Sequence, residues 1–388
     1  MDTKKILETF NQAMEFKKNG DFISAEKNYK EILSITTSLP EVYYNLALVY
    51  ARMFKFYDAI ENMKIYLKFE PDDIEGRYFL STYYFMLRDF DKGIELFESR
   101  ISKTHTIMSE AKTYGNLYSD IPFWNGEDLK DKVIFVYYEA GLGDTLMYFR
   151  YLQELSKLCK KVYFKPQVAL LSLFAENRGD VKIIMHLNER ISKECDYQCP
   201  IMSLPYLLGF HNENMFIHSD KFIHASKKKT EYYKQTYFKN DLLKICIKWQ
   251  GNTLIGGERA ITAKSFEKIF NLANSQIYSV QVNDGQEQLN ELASKYNIID
   301  LGSTFNDFSD TAGAIANADI VICNDTSVAH LAGAMGIKTY VILPEYYDWR
   351  WHDDLSKCYW YDSIKLYQKH TTWEDVVDKI YNDILINL

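Results

Sequence analysis

Asp319-Ile320-Val321-Ile322-Cys323-Asn324-Asp325-Thr326-Ser327-Val328-Ala329-His330-Leu331-Ala332 is the stretch on which the fold turns. Ile320–Cys323 is a short apolar run, β-branched in character, and predicts a buried strand. Helical spacing resumes with Leu331, Ala332 and Ala334, so Asp325, Thr326 and Ser327 fall at a helix start. The first amides of a helix have no intrahelical partner and lie at the positive end of its dipole. Such an end binds phosphate without further help. Thr326 and Ser327 add hydroxyl donors, and His330 lies one turn on along the same face. On spacing alone, a capped helix with a histidine satisfied in the core fits the same residues.

Working outward, the chain from Val133 alternates short apolar runs with amphipathic stretches. Strands are expected at Val133–Tyr138, Val162–Lys165 and Val181–Met185, with one helix over Asp144–Leu158. After a polar stretch around Ser226–Lys239, a second series has strands at Ile245–Trp249, Ile277–Val282, Ile298–Leu301, Ile320–Cys323 and Thr339–Leu343. A last helix is expected from about Trp373. Alternation of this kind implies parallel sheets covered by helices, here as two Rossmann-like halves with a cleft at the carboxyl ends of their strands.

Two more loops open at such ends. Glu139-Ala140-Gly141-Leu142-Gly143-Asp144 leaves a strand and begins a helix. Gly141 and Gly143 permit a tight turn and close approach of a ligand, and Asp144 either caps its helix or faces the other half across the cleft. Lys248-Trp249-Gln250-Gly251-Asn252 leaves the first strand of the second half. There Lys248, Gln250 and Asn252 are candidate contacts to a sugar or phosphate and Trp249 a candidate stacking platform, although Lys248 reads equally as a solvated strand end.

The N-terminal part has another logic. Ala13, Ala47 and Ser81 recur with a period of 34, as do Phe16, Tyr50 and Tyr84, then Phe22, Phe56 and Phe90. Ala25, Ala59 and Gly93 follow, and then Tyr29, Met63 and Phe97, with Pro71 ending the second unit. Small residues recur where two helices of a pair touch, and aromatics where the next pair stacks. Over roughly residues 5–104 this resembles the tetratricopeptide repeat. Such an array offers a concave face, either as a docking surface for an acceptor protein or as a structural cap or dimer contact. The expected division is repeats over 1–107, a linker over 108–132 with the turn-rich junction Ile121–Gly126, an N-terminal Rossmann half over 133–235 and a C-terminal half over 236–388.

Composition removes several functional classes. With 47% hydrophobic residues the 388-residue chain buries a sizeable core, and a net charge of -8 argues against general nucleic-acid binding. Met1–Glu8 is too polar for a secretory signal and no apolar run approaches bilayer length, so a cytoplasmic protein with no transmembrane segment is expected. The six cysteines are scattered and read as reduced thiols rather than zinc ligands. The only Asp-x-Asp triplet, Asp89-Phe90-Asp91, falls in a repeat turn, and no Gly-x-x-x-x-Gly-Lys-Ser/Thr occurs. No metal site and no cofactor are therefore expected, and a diphosphate would rest on a helix terminus and side chains.

Taken together these residues resemble a bacterial family in which tetratricopeptide repeats precede a catalytic part similar to the ADP-heptose lipopolysaccharide heptosyltransferases of glycosyltransferase family 9. The likeness runs through Trp124-Asn125-Gly126, Gly141-Leu142-Gly143-Asp144, Tyr148-Phe149-Arg150-Tyr151, Cys199–Pro205 and Trp249-Gln250-Gly251-Asn252. It is closest at Asp325–Ala334 and ends with Asp348-Trp349-Arg350-Trp351 and Trp360-Tyr361. It implies a two-Rossmann glycosyltransferase B fold and metal-free, inverting transfer from a nucleotide-sugar donor to a protein or glycan hydroxyl. It also implies Asp144 as general base and Asp325, Thr326 and His330 on the donor. The sequence departs from the pattern at Ala140, where Gln is usual, at Arg259-Ala260 in place of Arg-Ser, and over Met215–His224. The changes at Ala140 and Ala260 support an alternative, in which the repeats are the working part and the Rossmann pair an inactive scaffold.

Overall fold

The computed structural model describes residues 3–101, 120–217, 221–252 and 257–387. The first part of the expected linker, 108–119, lies outside them, as do 102–107 at the end of the expected repeats and 218–220 within Met215–His224. The described residues form two compact units, and two short stretches from far along the chain, Phe210–Met215 and Asp348–Asp354, belong with the N-terminal helices.

That first unit is built from α1 (Thr3–Lys18), α2 (Phe22–Ile35), α3 (Pro40–Arg52), α4 (Phe56–Phe69), α5 (Ile74–Met86) and α6 (Phe90–Phe97). Each helix packs on the next. The small residues of the period sit where helices meet: Ala13, Ala47, Ser81, Ala25 and Ala59 have no exposed surface. Asp21 and Asp73 cap α2 and α5, accepting from Ser24 N at 3.0 Å and Gly76 N at 2.9 Å. Each such cap contributes about 1 kcal/mol. Asp89 and Asp91 lie at the start of α6, as the sequence implied.

The stretch Asp348–Asp354 closes the third helix pair. The Trp349 ring lies 4.9 Å from Phe85 and 5.8 Å from Phe97. Asp353 N donates to Met86 O at 3.0 Å, and the Asp353 carboxylate meets Arg88 at 2.6 Å. His352 is fully buried with its ring edge 5.6 Å from Phe90, and its Nδ1–H donates to the Phe85 carbonyl at 2.8 Å. Burial pushes the His352 imidazole down from 6.5 to about 4, the Phe85 hydrogen bond opposing.

Between those two values the unfolded chain binds a proton that the folded chain refuses. Stability of this unit is therefore expected to fall as pH drops from 6.5 to about 4, by about 3 kcal/mol in all. His352→Asn keeps an amide donor for Phe85 and tolerates the φ of 59° found there. Denaturant midpoints measured against pH should lose their slope over that window in the variant.

The second unit holds two all-parallel sheets. β1 (Val133–Tyr137), β2 (Lys161–Lys165), β3 (Lys182–Ile183) and β4 (Tyr197–Pro200) lie in the order β3-β2-β1-β4. β5 (Leu243–Lys248), β6 (Ser275–Ser279), β7 (Ile299–Asp300), β8 (Ile320–Asn324), β9 (Thr339–Leu343) and β10 (Ile364–Gln368) lie in the order β10-β9-β8-β5-β6-β7. One face of the second sheet buries Ile245, Ile247, Ile320, Ile322, Tyr340 and Ile342 against apolar residues that include Val376, Val377 and Ile380 of the terminal helix Trp373–Ile386. β4 and β10 were not expected. The single helix expected over Asp144–Leu158 is two, α7 (Leu142–Tyr148) and α8 (Arg150–Ser156), joined at Phe149. None of the six cysteines forms a disulfide. Among the described residues no helix is long and apolar enough to cross a membrane.

Candidate functional site

Strand order reverses on either side of β1 and of β5, and crevices open at such points beyond the strand ends. The loops concerned are Tyr138–Gly141 after β1, Trp249–Asn252 after β5, and Asp325–Thr326 after β8, which leads into α9 (Ser327–Ala334). They converge. A methyl group placed on Gly143 would stand 2.8 Å from His330 Cδ2 and 3.6 Å from Ser327 Cα, so only glycine lets α7 lie this close to α9. A methyl group on Gly251 would stand 3.0 Å from Thr326 Cγ2. All three loops picked out from sequence therefore meet at the start of α9.

Asp144 is half-buried, and its Oδ2 accepts from Gly141 N at 2.9 Å. That bond closes the first turn of α7 and fixes the carboxylate. Ala140, just before it, holds a left-handed φ of 59°, a conformation costly for a residue with a side chain. On the facing helix Thr326 occupies the N-cap position without a side-chain capping bond, and the amide of Ala329 donates to its carbonyl at 2.9 Å.

Cations gather round this start. Lys248 ends β5 and is only 5% exposed, so it is no solvated strand end. Burial pushes its ammonium down to about 8, with Cys323 and Asp284 opposing. Cys323 is its register neighbour on β8, a thiol that burial pushes up and keeps neutral. Arg259, which sequence reasoning left outside the site, donates through Nη1 to the Asp325 carboxylate at 3.2 Å and to the Asp325 carbonyl at 3.2 Å. Asn324 Nδ2 returns a bond to Arg259 O at 2.8 Å. Asp325 thus anchors a guanidinium beside the helix start.

The Trp249 loop differs from expectation. Trp249 has no exposed surface; its indole packs in the core and donates to Gly285 O at 3.1 Å, so it offers no stacking face to a ligand. Gln250 is also buried, its side chain bonded to Gln288, whereas Asn252 is exposed. The loop is shaped by Gln281, which is fully buried and had no sequence signal. Gln281 Oε1 accepts from Trp249 N and Gln250 N at 3.1 Å each, and Nε2 donates to Gln250 O and Asp284 O at 2.9 and 2.6 Å. His330 is 4% exposed, with Nδ1 3.1 Å from the Tyr361 hydroxyl.

The lowered value of Lys248 has a direct consequence for an anion at this site. Below about 8 the ammonium is charged and attracts it; above, the attraction fades. Affinity for a nucleoside diphosphate, read by calorimetry, is expected to fall as pH rises through that point. In Lys248→Met it should be weaker throughout and lose this pH dependence.

Among the described residues no three carboxylate, thiol or imidazole groups cluster as a metal site. No protein-family model matches the sequence, and no curated protein matches it. Among solved structures, a glycosyl transferase family 9 protein from Veillonella parvula matches 68% of this chain and 100% of its own at 12% identity, with a TM-score of 0.50. An Escherichia coli ADP-heptose LPS heptosyltransferase II matches 65% of this chain and 97% of its own at 10% identity, with a TM-score of 0.47. An O-GlcNAc transferase mutant from Thermobaculum terrenum matches 98% of this chain and 90% of its own at 11% identity, with a TM-score of 0.30. The likeness to the Veillonella protein shows a shared fold over about two thirds of the chain.

Proposed function

We propose that this chain is a metal-independent, inverting glycosyltransferase of the glycosyltransferase B type, with tetratricopeptide repeats that dock the acceptor. It moves a sugar from a nucleotide-sugar donor to a protein or glycan hydroxyl. The observation that carries this reading is the closeness of Gly143 to His330 and Ser327, which sets the Asp144 turn beside the amide-lined start of α9. The donor diphosphate rests on the amides and hydroxyls of Thr326 and Ser327, with Lys248 and Arg259 meeting its charge. Asp144 takes the proton of the acceptor hydroxyl as its oxygen attacks the anomeric carbon. The bond from that carbon to the diphosphate breaks, and the nucleoside diphosphate leaves with the electron pair.

Trp249, in this reading, supports the pocket from behind, and Asp325 acts through Arg259. Isothermal titration of the full chain with a panel of nucleotide sugars tests the donor site, and a hydrolysis screen of the same panel tests activity and nucleotide together. Binding of at least one donor is expected. Binding of none at millimolar concentration would favour the repeat scaffold with an inactive partner domain.

A further inference from the structure

A cavity of about 380 Å³ opens on the two-sheet unit, and its walls include Gln153, Glu176, Asn177, Lys221, Phe222 and His224. The wall Lys221–His224 lies in the connection from β4 to β5, which carries the chain from the first sheet to the second. That wall is tied down on both sides. Asn177, at the end of the helix Leu171–Asn177 that follows β2, brackets His224. Its Oδ1 accepts from His224 N at 2.7 Å, and its Nδ2 donates to His224 O at 2.9 Å. Ile223 N donates at 3.2 Å to the carbonyl of Ala334, the last residue of α9. The crevice loops meet at the other end of α9, so the length of that helix, about 12 Å, separates the two places.

Small-molecule sites have volumes of about 300–1,000 Å³ and favour the junctions between domains. Here the lining is mostly polar and mixes donors with acceptors. The Glu176 carboxylate accepts, the Lys221 ammonium donates, and the Gln153 amide and His224 ring do both. Among the described residues none of these four side chains makes a hydrogen bond or ion pair within the protein, so their bonding capacity is not spent on the fold. The apolar part of the wall is Phe222, 9% exposed, with the guanidinium carbon of buried Arg150 4.6 Å from its ring centre.

A hydroxyl-rich ring answers each of these groups. Every sugar hydroxyl both donates and accepts. A planar carboxylate or amide spans two neighbouring hydroxyls, and the C–H groups of a sugar ring pack on the negative face of an aromatic one. A simple anion is opposed by Glu176 and a simple cation by Lys221. We propose that this cavity is a carbohydrate site, separate from the donor crevice, that holds one sugar unit of a glycan. Cavity and crevice share no residue, so the assignment stands whether or not the crevice takes a nucleotide sugar.

The probes are the methyl glycosides of glucose, galactose, mannose and N-acetylglucosamine, presented to the full chain and read by saturation-transfer NMR and isothermal titration. At least one is expected to bind. Glu176→Ala and Lys221→Ala change exposed positions, so denaturant midpoints should hold while each weakens that binding about tenfold. Nucleoside diphosphate affinity, measured on the same variants, reports the crevice separately and should not move. Lys248→Met, in the crevice, should leave glycoside binding as it was. Binding of none of the glycosides overturns the proposal, as does binding that survives both cavity substitutions or is lost in Lys248→Met. Binding of inorganic phosphate or glycine that Lys221→Ala abolishes, with no glycoside bound, would give the cavity to a charged ligand and overturn it too.

Discussion

Asp144→Asn is expected to slow sugar transfer by roughly 10²–10⁴-fold while leaving donor affinity nearly unchanged. The substitution separates the bond this residue makes from the base role proposed for it. An asparagine oxygen still accepts from Gly141 N, the bond that shapes the start of α7 at 2.9 Å, so the turn beside Ser327 and His330 persists. What is lost is the capacity proposed for it, to take a proton from the acceptor. Single-turnover transfer and calorimetric donor binding, measured on one preparation, give the two numbers needed. Transfer at the wild-type rate would remove Asp144 from the chemistry, and loss of donor binding would reassign it to the pocket wall.

Gly302→Ala is expected to lower the stability of the two-sheet unit by roughly 3 kcal/mol and to damage donor binding with it. A methyl group on Gly302 would fall 1.8 Å from the backbone oxygen of Gln281 and 2.7 Å from its carbonyl carbon. No rotamer change relieves a clash between two backbones. The strand ends at β6 and β7 must part, and Gln281 carries the strain to the Trp249 and Gln250 amides it holds. Denaturant unfolding reads the first effect and nucleoside diphosphate titration the second. Gln281→Met should weaken binding with a smaller loss of stability, because it removes the loop's anchor without moving the strands.

Ala13, Ala47 and Ser81, which share one position of the expected period, have no exposed surface, so the spacing of small residues did report depth. Eight strands were legible as apolar runs. β4, Tyr-Gln-Cys-Pro, carries no such run, and β10 at a sheet edge alternates Ile364, Leu366 and Gln368 with Lys365 and Tyr367, a weaker signal. The break at Phe149 has no glycine or proline to announce it. For the crevice, loop positions were readable from strand ends followed by helix starts, whereas partnerships were not. Arg259 meets Asp325 across 66 residues, Gln281 meets Trp249 across 32, and His330 meets Tyr361 across 31. Nothing local in a sequence reports such pairings, and the same blindness made buried Trp249 look like a ligand platform.

His352 and Phe85, joined by a hydrogen bond, are 267 residues apart. At a synthesis rate of about 5–20 residues per second, roughly 13–50 s pass between their emergence from the ribosome. Throughout that interval Phe85, Phe90 and Phe97 await the indole and imidazole that finally cover them. The helices that carry these rings are thus completed only after the chain well downstream of them is made, and until then the nascent chain carries an oily seam of the kind that chaperones hold.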